Sequence, residues 1–501
     1  MVIDHGLRRL ALGTILGAFP GPAAPPWALS LLADGLAGYT LFGGNVETPE
    51  QLATLTAGLR AARGDMLVAI DEEGGDVTRL AHRTGSPYPG NAALGVIDDL
   101  ELTREVYTAI GAELVAAGVT LDLAPVVDVN TADANPVIGT RSFGASTALV
   151  ARHAAAAVVG LQEAGVAACA KHFPGHGATV TDSHLALPTV DVPVGVLRSR
   201  DLPPFAAAVA AGVRAIMTGH LRVPALTADD PATFSREALS LLRGELGFGG
   251  VVVTDALEMS GAVLAAGGIA QGAVRALDAG ADLLCLGSRV NAGLIEAIAT
   301  EIATAARDGR LALRRLEEAV SRTAEMASRS VPSGRALSPI GVAAARRAVG
   351  VPAAGRAVSA SAARRAVSAS AARRAVGASA ARRAVRIEGS LDGFSAPLVV
   401  QLDAAQSIAA GRVPWGLAPH TSLADPSALP AGRPVVVVGR RLHNYPADRA
   451  LIEQLAAARP VVVVEMGWPS SWRPAGVRAF VTTYGASWAS GRAVMDLLGL
   501  D

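Results

Sequence analysis

Val166-Ala167-Ala168-Cys169-Ala170-Lys171-His172-Phe173-Pro174-Gly175-His176-Gly177 begins as an apolar run and ends as a polar loop rich in helix breakers. A run with no polar face reads as a strand covered on both sides, the situation in parallel sheets sandwiched by helices. Seven more such runs are expected at 8–14, 39–43, 67–71, 119–125, 214–219, 250–255 and 282–287. Helical patterns at 48–62, 100–117, 147–164, 235–246 and 270–279 separate them. Eight strands alternating with helices predict an α/β fold, a (β/α)8 barrel. A doubly wound sheet is the alternative, and eight repeats before residue 335 fit a closed barrel better.

Beyond the barrel the chain changes character. Arg356-Ala-Val-Ser-Ala-Ser-Ala-Ala-Arg364 recurs from Arg365 and again from Arg374, where Gly377 replaces Ser. Nine residues advance a helix by about two and a half turns, so successive copies face opposite ways and build no continuous apolar stripe. Residues 346–386 hold ten Arg and no acid. They read as a solvated linker helix, with a basic tether for an anionic surface as the sharper reading. From 387 a second α/β pattern appears, with apolar runs opening at Pro397, Pro434, Pro460 and Val477 and helices near 446–458 and 488–498. The expected organisation is a barrel at 1–335, a linker at 336–386 and a small parallel-sheet layer at 387–501.

With 44 Lys and Arg against 44 Asp and Glu, bulk charge does not support a nucleic-acid binder. Cys169 and Cys285 both lie in apolar runs and read as buried thiols, with neither a disulfide framework nor a zinc spacing. Leu7 to Phe19 imitates a secretory signal, but Gly13 and Gly17 interrupt it and Asp4 precedes it, so a first strand is expected there. No apolar stretch reaches the roughly 18–20 residues that span a bilayer. No membrane association is expected, and the expected compartment is the cytoplasm.

Lys171 is the one lysine of the chain. Elsewhere arginine meets the need for positive charge, so position 171 evidently requires a compact ammonium rather than a planar fork. His172 and His176 stand four apart, a metal spacing on a helix, yet Pro174 and Gly175 break that helix. Lys171 and His172 then offer donors to ligand hydroxyls, and no metal is expected. In Asp182-Ser183-His184 an extended backbone points both ends to one side, so the carboxylate can orient the imidazole and raise its pKa. Asp255 closes the apolar run 250–254 and would emerge at the same rim as Asp71, Asp122, Asp128 and His220. A carboxylate facing a protonated histidine is an acid–nucleophile pair suited to cleaving an acetal through a covalent intermediate.

The stretch Ala170-Lys-His-Phe-Pro-Gly-His-Gly177 followed by Asp182-Ser-His-Leu-Ala-Leu-Pro188 closely resembles the β-N-acetylglucosaminidase branch of glycoside hydrolase family 3. Leu41-Phe-Gly-Gly-Asn-Val46, Ile70-Asp-Glu-Glu-Gly-Gly75, Ala124-Pro-Val-Val-Asp-Val-Asn130, Pro136-Val-Ile-Gly-Thr-Arg-Ser-Phe-Gly144, Met217-Thr-Gly-His220 and Val253-Thr-Asp-Ala-Leu-Glu-Met259 extend the likeness collinearly to about residue 335. The resemblance implies Asp255 as nucleophile, His184 as acid/base and Asp182 as its partner. It implies Asp71, Arg141, Lys171 and His172 as ligands of the terminal sugar, with Met259 lining that subsite. It further implies retention of configuration, no cofactor, and release of N-acetylglucosamine from β-linked cell-wall fragments. Glu72 and Asp76 depart from the family pattern, where Gln and Arg are frequent, as does Ala256, where an acid is common. A phosphorylase of the same branch and a non-catalytic muropeptide-binding protein are the competing readings.

Overall fold

The computed structural model describes residues 4–183, 185–330, 360–402, 409–417, 421–422, 429–430 and 432–500. Eight parallel strands form the first sheet: β1 Ile15–Gly17, β2 Gly38–Leu41, β3 Leu67–Ile70, β4 Leu121–Asp122, β5 Ala167–Phe173, β6 Ala215–Thr218, β7 Val251–Thr254 and β8 Leu284–Cys285. Each pairs with its sequence neighbour, and β1 pairs with β8. A bridge between Val253 and Leu283 joins β7 to β8 and closes the ring. The predicted (β/α)8 barrel is therefore the observed fold.

Strand parity decides what the barrel interior contains. Leu67 and Ala69, Ala167 and Cys169, Ala215 and Met217, Val251 and Val253, and Leu283 and Cys285 form one interior cluster. Side chains two apart share a face, so the inward series continues to Asp71 after β3, Lys171 in β5 and Asp255 after β7. The even residues between them, such as Val68, Ile70, Ala168 and Val252, pack outward against the helices. The barrel floor is closed by Met326 and Ala327 from helix Leu313–Ser330. Nearby, Asp282 is buried and takes hydrogen bonds from Arg243, Arg315 and Arg322.

The N-terminal expectation needs correction. Residues 8–14 are not a strand: helix His5–Leu12 occupies them and β1 begins only at Ile15. Asp4 caps this helix by accepting from the Gly6 and Leu7 amides, at 2.7 and 3.3 Å. Ala11 and Leu12 are buried while Arg8 reaches Asp34 and Glu296, so the segment is amphipathic with a helical period.

The second sheet has the order β11-β10-β12-β13-β14-β9, from β9 Arg386–Gly389, β10 Leu398–Gln401, β11 Thr421–Ser422, β12 Val435–Gly439, β13 Val461–Glu465 and β14 Ala479–Thr482. The four expected strands are present and parallel, but β9 runs antiparallel on the β14 edge. Its residues are exposed and lack an apolar run, which hid it from a reading of hydrophobicity.

The solvated-linker expectation is corrected for the last copy of the repeat. Helix Ala360–Ala384 packs on helices Leu100–Ala116, Asn91–Ile97 and Trp488–Leu498. Gly377, Ala380, Ala381 and Ala384 are buried, and Arg383 pairs with Asp99 at 2.9 Å. The i, i+3, i+4 stripe is made of small residues, and a Cβ at Gly377 would lie 2.1 Å from the Pro87 carbonyl oxygen. The expected linker residues before 360 lie outside the described residues. Among the described residues no helix is long and apolar enough to cross a membrane.

Candidate active site

The C-terminal ends of β3, β5 and β7 gather one polar cluster. Lys171 is 2% exposed, and its Nζ donates at 2.7 Å to Asp71 Oδ1 and lies 2.7 Å from Glu73 Oε1. Arg141, on the short turn Gly139–Arg141, donates to both oxygens of Glu73 at 2.8 Å. Burial alone would discharge these groups, but each charge is met by its opposite. Burial raises the Glu73 carboxyl, and Arg141 and Lys171 outweigh it and hold the group far below the ordinary range. Burial lowers Lys171, and Asp71 with Glu73 outweigh it and keep the ammonium charged. The result is a rigid charged floor in which Asp71, half-buried, remains able to accept from a ligand hydroxyl.

His172 is held from behind. Its Nδ1 lies 2.8 Å from Asp128 Oδ2, while Asp128 Oδ1 accepts from the backbone amides of His172 and His176, at 3.2 and 2.7 Å. Burial raises the Asp128 carboxyl, and the His172 charge with these hydrogen bonds brings it below the usual value. An Nδ1–H donated to a carboxylate leaves Nε2 as the outward-acting nitrogen. His176 does not share that role. Its Nδ1 is 2.8 Å from Thr179 Oγ1, and burial with the neighbouring His172 pulls its pKa down to about 4. The two rings meet edge to face at 5.9 Å.

Asp255 sits directly after β7, its amide bonded to the Thr218 carbonyl at 3.1 Å and one carboxylate oxygen accepting from Ala256 N at 2.8 Å. His220 braces this turn. Its Nε2 donates to the Ala256 carbonyl at 3.1 Å, and its Nδ1 lies 2.9 Å from Thr233 Oγ1. Met259 is buried, precedes helix Ser260–Ala266 and bonds back to Ala256 O. Asp182 is half-buried in a loop whose Leu187 lies against Gly261, a Cβ there being 3.2 Å from Leu187 Cα. That loop therefore leans on the element following Asp255. His184 lies outside the described residues.

Glu73, Arg79 and the bracing role of Asp128 were not foreseen from the sequence. Arg79 Nη2 stands 3.8 Å from Asp71 Oδ2, at the open side of the cluster. The signal for Glu73 was present: an acid ahead of Gly74-Gly75 that folds inward demands a buried cation. Asp122, expected at the rim, instead has the parity opposite to Leu121 and Leu123 and accepts from Glu72 N at 3.0 Å behind the strand.

Paired donors and acceptors gather at the barrel mouth, with Asp255 following another strand of the same rim, an arrangement that suits a hydroxyl-bearing ligand. The family model described as the glycosyl hydrolase family 3 N-terminal domain matches residues 28–326. The chain belongs to this family of glycoside hydrolases. It is 35% identical over 295 residues to a beta-hexosaminidase of Methylococcus capsulatus, covering 58% of this chain and 88% of that protein. Beta-hexosaminidase A of Pseudoalteromonas piscicida is 39% identical over 249 residues, so the match spans 45% of this chain and 42% of that protein. A family 3 beta-N-acetylglucosaminidase from Paenibacillus sp. is similar in structure, with TM-score 0.81, 31% identity, and coverage of 98% of this chain and 96% of that one. That likeness embraces both sheets, where the motif resemblance stopped near residue 335.

Proposed function

We propose that this protein is an exo-acting, retaining β-N-acetylglucosaminidase. Asp255 attacks the anomeric carbon, forming a glycosyl ester as the C–O bond to the aglycone breaks. The departing oxygen takes its proton from His184, which Asp182 orients. Neutral His184 then removes a proton from water, and the water oxygen displaces Asp255, restoring the original configuration. Asp71, Arg141, Lys171 and His172 hold the hydroxyls of the terminal sugar, and Met259 walls the subsite. Terminal β-linked N-acetylglucosamine of muropeptide fragments is the proposed substrate, in line with the motifs around Lys171 and Asp182.

The observation that carries this reading is the shared inward parity of Asp71, Lys171 and Asp255 at one barrel rim. An exo-enzyme needs such a closed, charged end wall to recognise a chain terminus. Product analysis of p-nitrophenyl β-N-acetylglucosaminide turnover, with and without phosphate, tests it. Free N-acetylglucosamine of β configuration is expected in both. Sugar 1-phosphate formed at the expense of free sugar contradicts hydrolysis, and no turnover contradicts enzymatic function on this substrate.

A further inference from the structure

Asp76 is a buried carboxylate in the loop that follows β3, and its partners come from three places. Oδ1 accepts from the amide of Ala486, in the second sheet's layer, at 2.8 Å. Oδ2 accepts from the Thr140 hydroxyl and lies 3.1 Å from Arg440 Nη2. Thr140 immediately precedes Arg141, and Asp76 follows Glu73 by three residues. Asp76, Thr140, Glu73 and Arg141 line one hollow, the last two being partners in the Lys171 cluster. The loop itself has little freedom: Gly75 has φ +59°, and a Cβ there would meet Gly90 Cα at 2.4 Å.

Arg440 is fixed from its own side. The turn after β12 is held by Glu465, whose carboxylate accepts from the amides of Arg441, Leu442 and Gly467 at 2.7, 2.9 and 2.7 Å. Arg441 is in the left-handed region, φ +53°, which only a well-determined turn sustains. The Arg440 side chain, 16% exposed, thus reaches Asp76 from a rigid base. Other contacts grip the same barrel loop: Arg79 donates to Ala409 O at 2.8 Å, and Ala489 N donates to Ser86 O at 3.2 Å.

We propose that Arg440 is a positioning residue for the barrel's binding rim, acting through Asp76 and Thr140 on the two segments that carry Asp71 with Glu73 and Arg141. Removing one partner of a buried ion pair leaves the other uncompensated. Without Arg440, Asp76 loses its charged partner and the two segments lose their common anchor. The consequence falls on sugar binding, because Arg141 and Lys171 share Glu73. The second layer then contributes to binding through this contact with the barrel rim. This rests on the proposed glycosidase reading for its kinetic arm alone.

The test compares wild type with Arg440→Ala and, should that variant not fold, Arg440→Gln. Kinetics with p-nitrophenyl β-N-acetylglucosaminide at 20 °C are read together with amide hydrogen exchange over 71–80 and 139–142. The expected result is a KM raised by about tenfold with kcat changed by less than about threefold, and faster exchange in both segments. Unchanged KM, unchanged exchange in either segment, or loss of thermal stability alone overturns the proposal. If wild type itself fails to turn over the substrate, the glycosidase reading fails. The positioning proposal is then decided by exchange, faster in both segments supporting it and unchanged in either overturning it.

Discussion

Asp128, beyond the end of β4, places Oδ2 2.8 Å from Nδ1 of His172 at the end of β5. One carboxylate thereby fixes a ring tautomer and, through its other oxygen, the backbone of the following loop. Asp128→Asn would set an amide N–H2 or a reoriented ring against this geometry and remove the carboxylate that orients the imidazole. The expected outcome is a fall in kcat/KM of about 10- to 100-fold, read by steady-state kinetics. A change below twofold would mean that His172 needs no orientation.

Lys171→Arg keeps the charge but not the shape. The ammonium is enclosed between Asp71 and Glu73 at 2.7 Å from each, with no room for a planar fork. Overpacking should cost about 1–3 kcal/mol in thermal unfolding. KM should rise as Asp71 and Arg141 are displaced. Near-normal kinetics and stability would make the lone lysine incidental.

Two buried glutamates should respond oppositely to conversion to Gln. Glu72 Oε2 accepts from Thr78 Oγ1, Arg79 N and Leu80 N, each at 2.9 Å, and burial raises its pKa to about 7. A folded value above the unfolded one means that folding takes up a proton, so stability from this group is lost as pH rises through 7. Glu72→Gln retains an acceptor for all three donors and should stabilise the protein at pH 8 by roughly 1–3 kcal/mol, with little effect at pH 5. Burial likewise raises the Glu465 pKa to about 7. Glu465 spreads its three amide partners over both oxygens, so Glu465→Gln confronts a backbone N–H with an amide N–H and should destabilise at pH 8, where the carboxylate accepts from all three. Denaturant unfolding at pH 5 and 8 separates the two, and equal effects would contradict this account.

Gly377→Ser would restore the nine-residue repeat yet should destabilise. Its Cβ would fall 2.1 Å from Pro87 O and 2.9 Å from Tyr88 Cδ1. Backbone cannot yield cheaply, so a loss of about 1–3 kcal/mol is expected in thermal unfolding. No change would show that the helix is free to shift.

Much of the barrel was legible because its strands are buried on both faces and leave continuous apolar runs, as in 166–170 and 250–254. Residues 8–14 misled because a short amphipathic helix capped by Asp4 has nearly the composition of a strand. β9 was invisible because an exposed antiparallel edge carries no apolar signature. The candidate residues stood out in the sequence where a residue type was unusual, as at Lys171, or where a strand ended in a charge, as at Asp71 and Asp255. Glu73 and Asp128 were harder, since each acts on a partner some 68 or 44 positions away and only the fold reveals the pairing. Asp122 also ends a strand, but it lies one step out of phase with the inward-facing Leu121 and Leu123.

The nucleophile is tested most directly by trapping. Incubation with a 5-fluoro N-acetylglucosaminide bearing an activated leaving group, followed by peptide mapping, should place the sugar on Asp255. Asp255→Ala should carry no label, and His184→Ala should still label because an activated leaving group needs no proton. A sugar ester on any other carboxylate, or labelling that survives Asp255→Ala, would contradict the account.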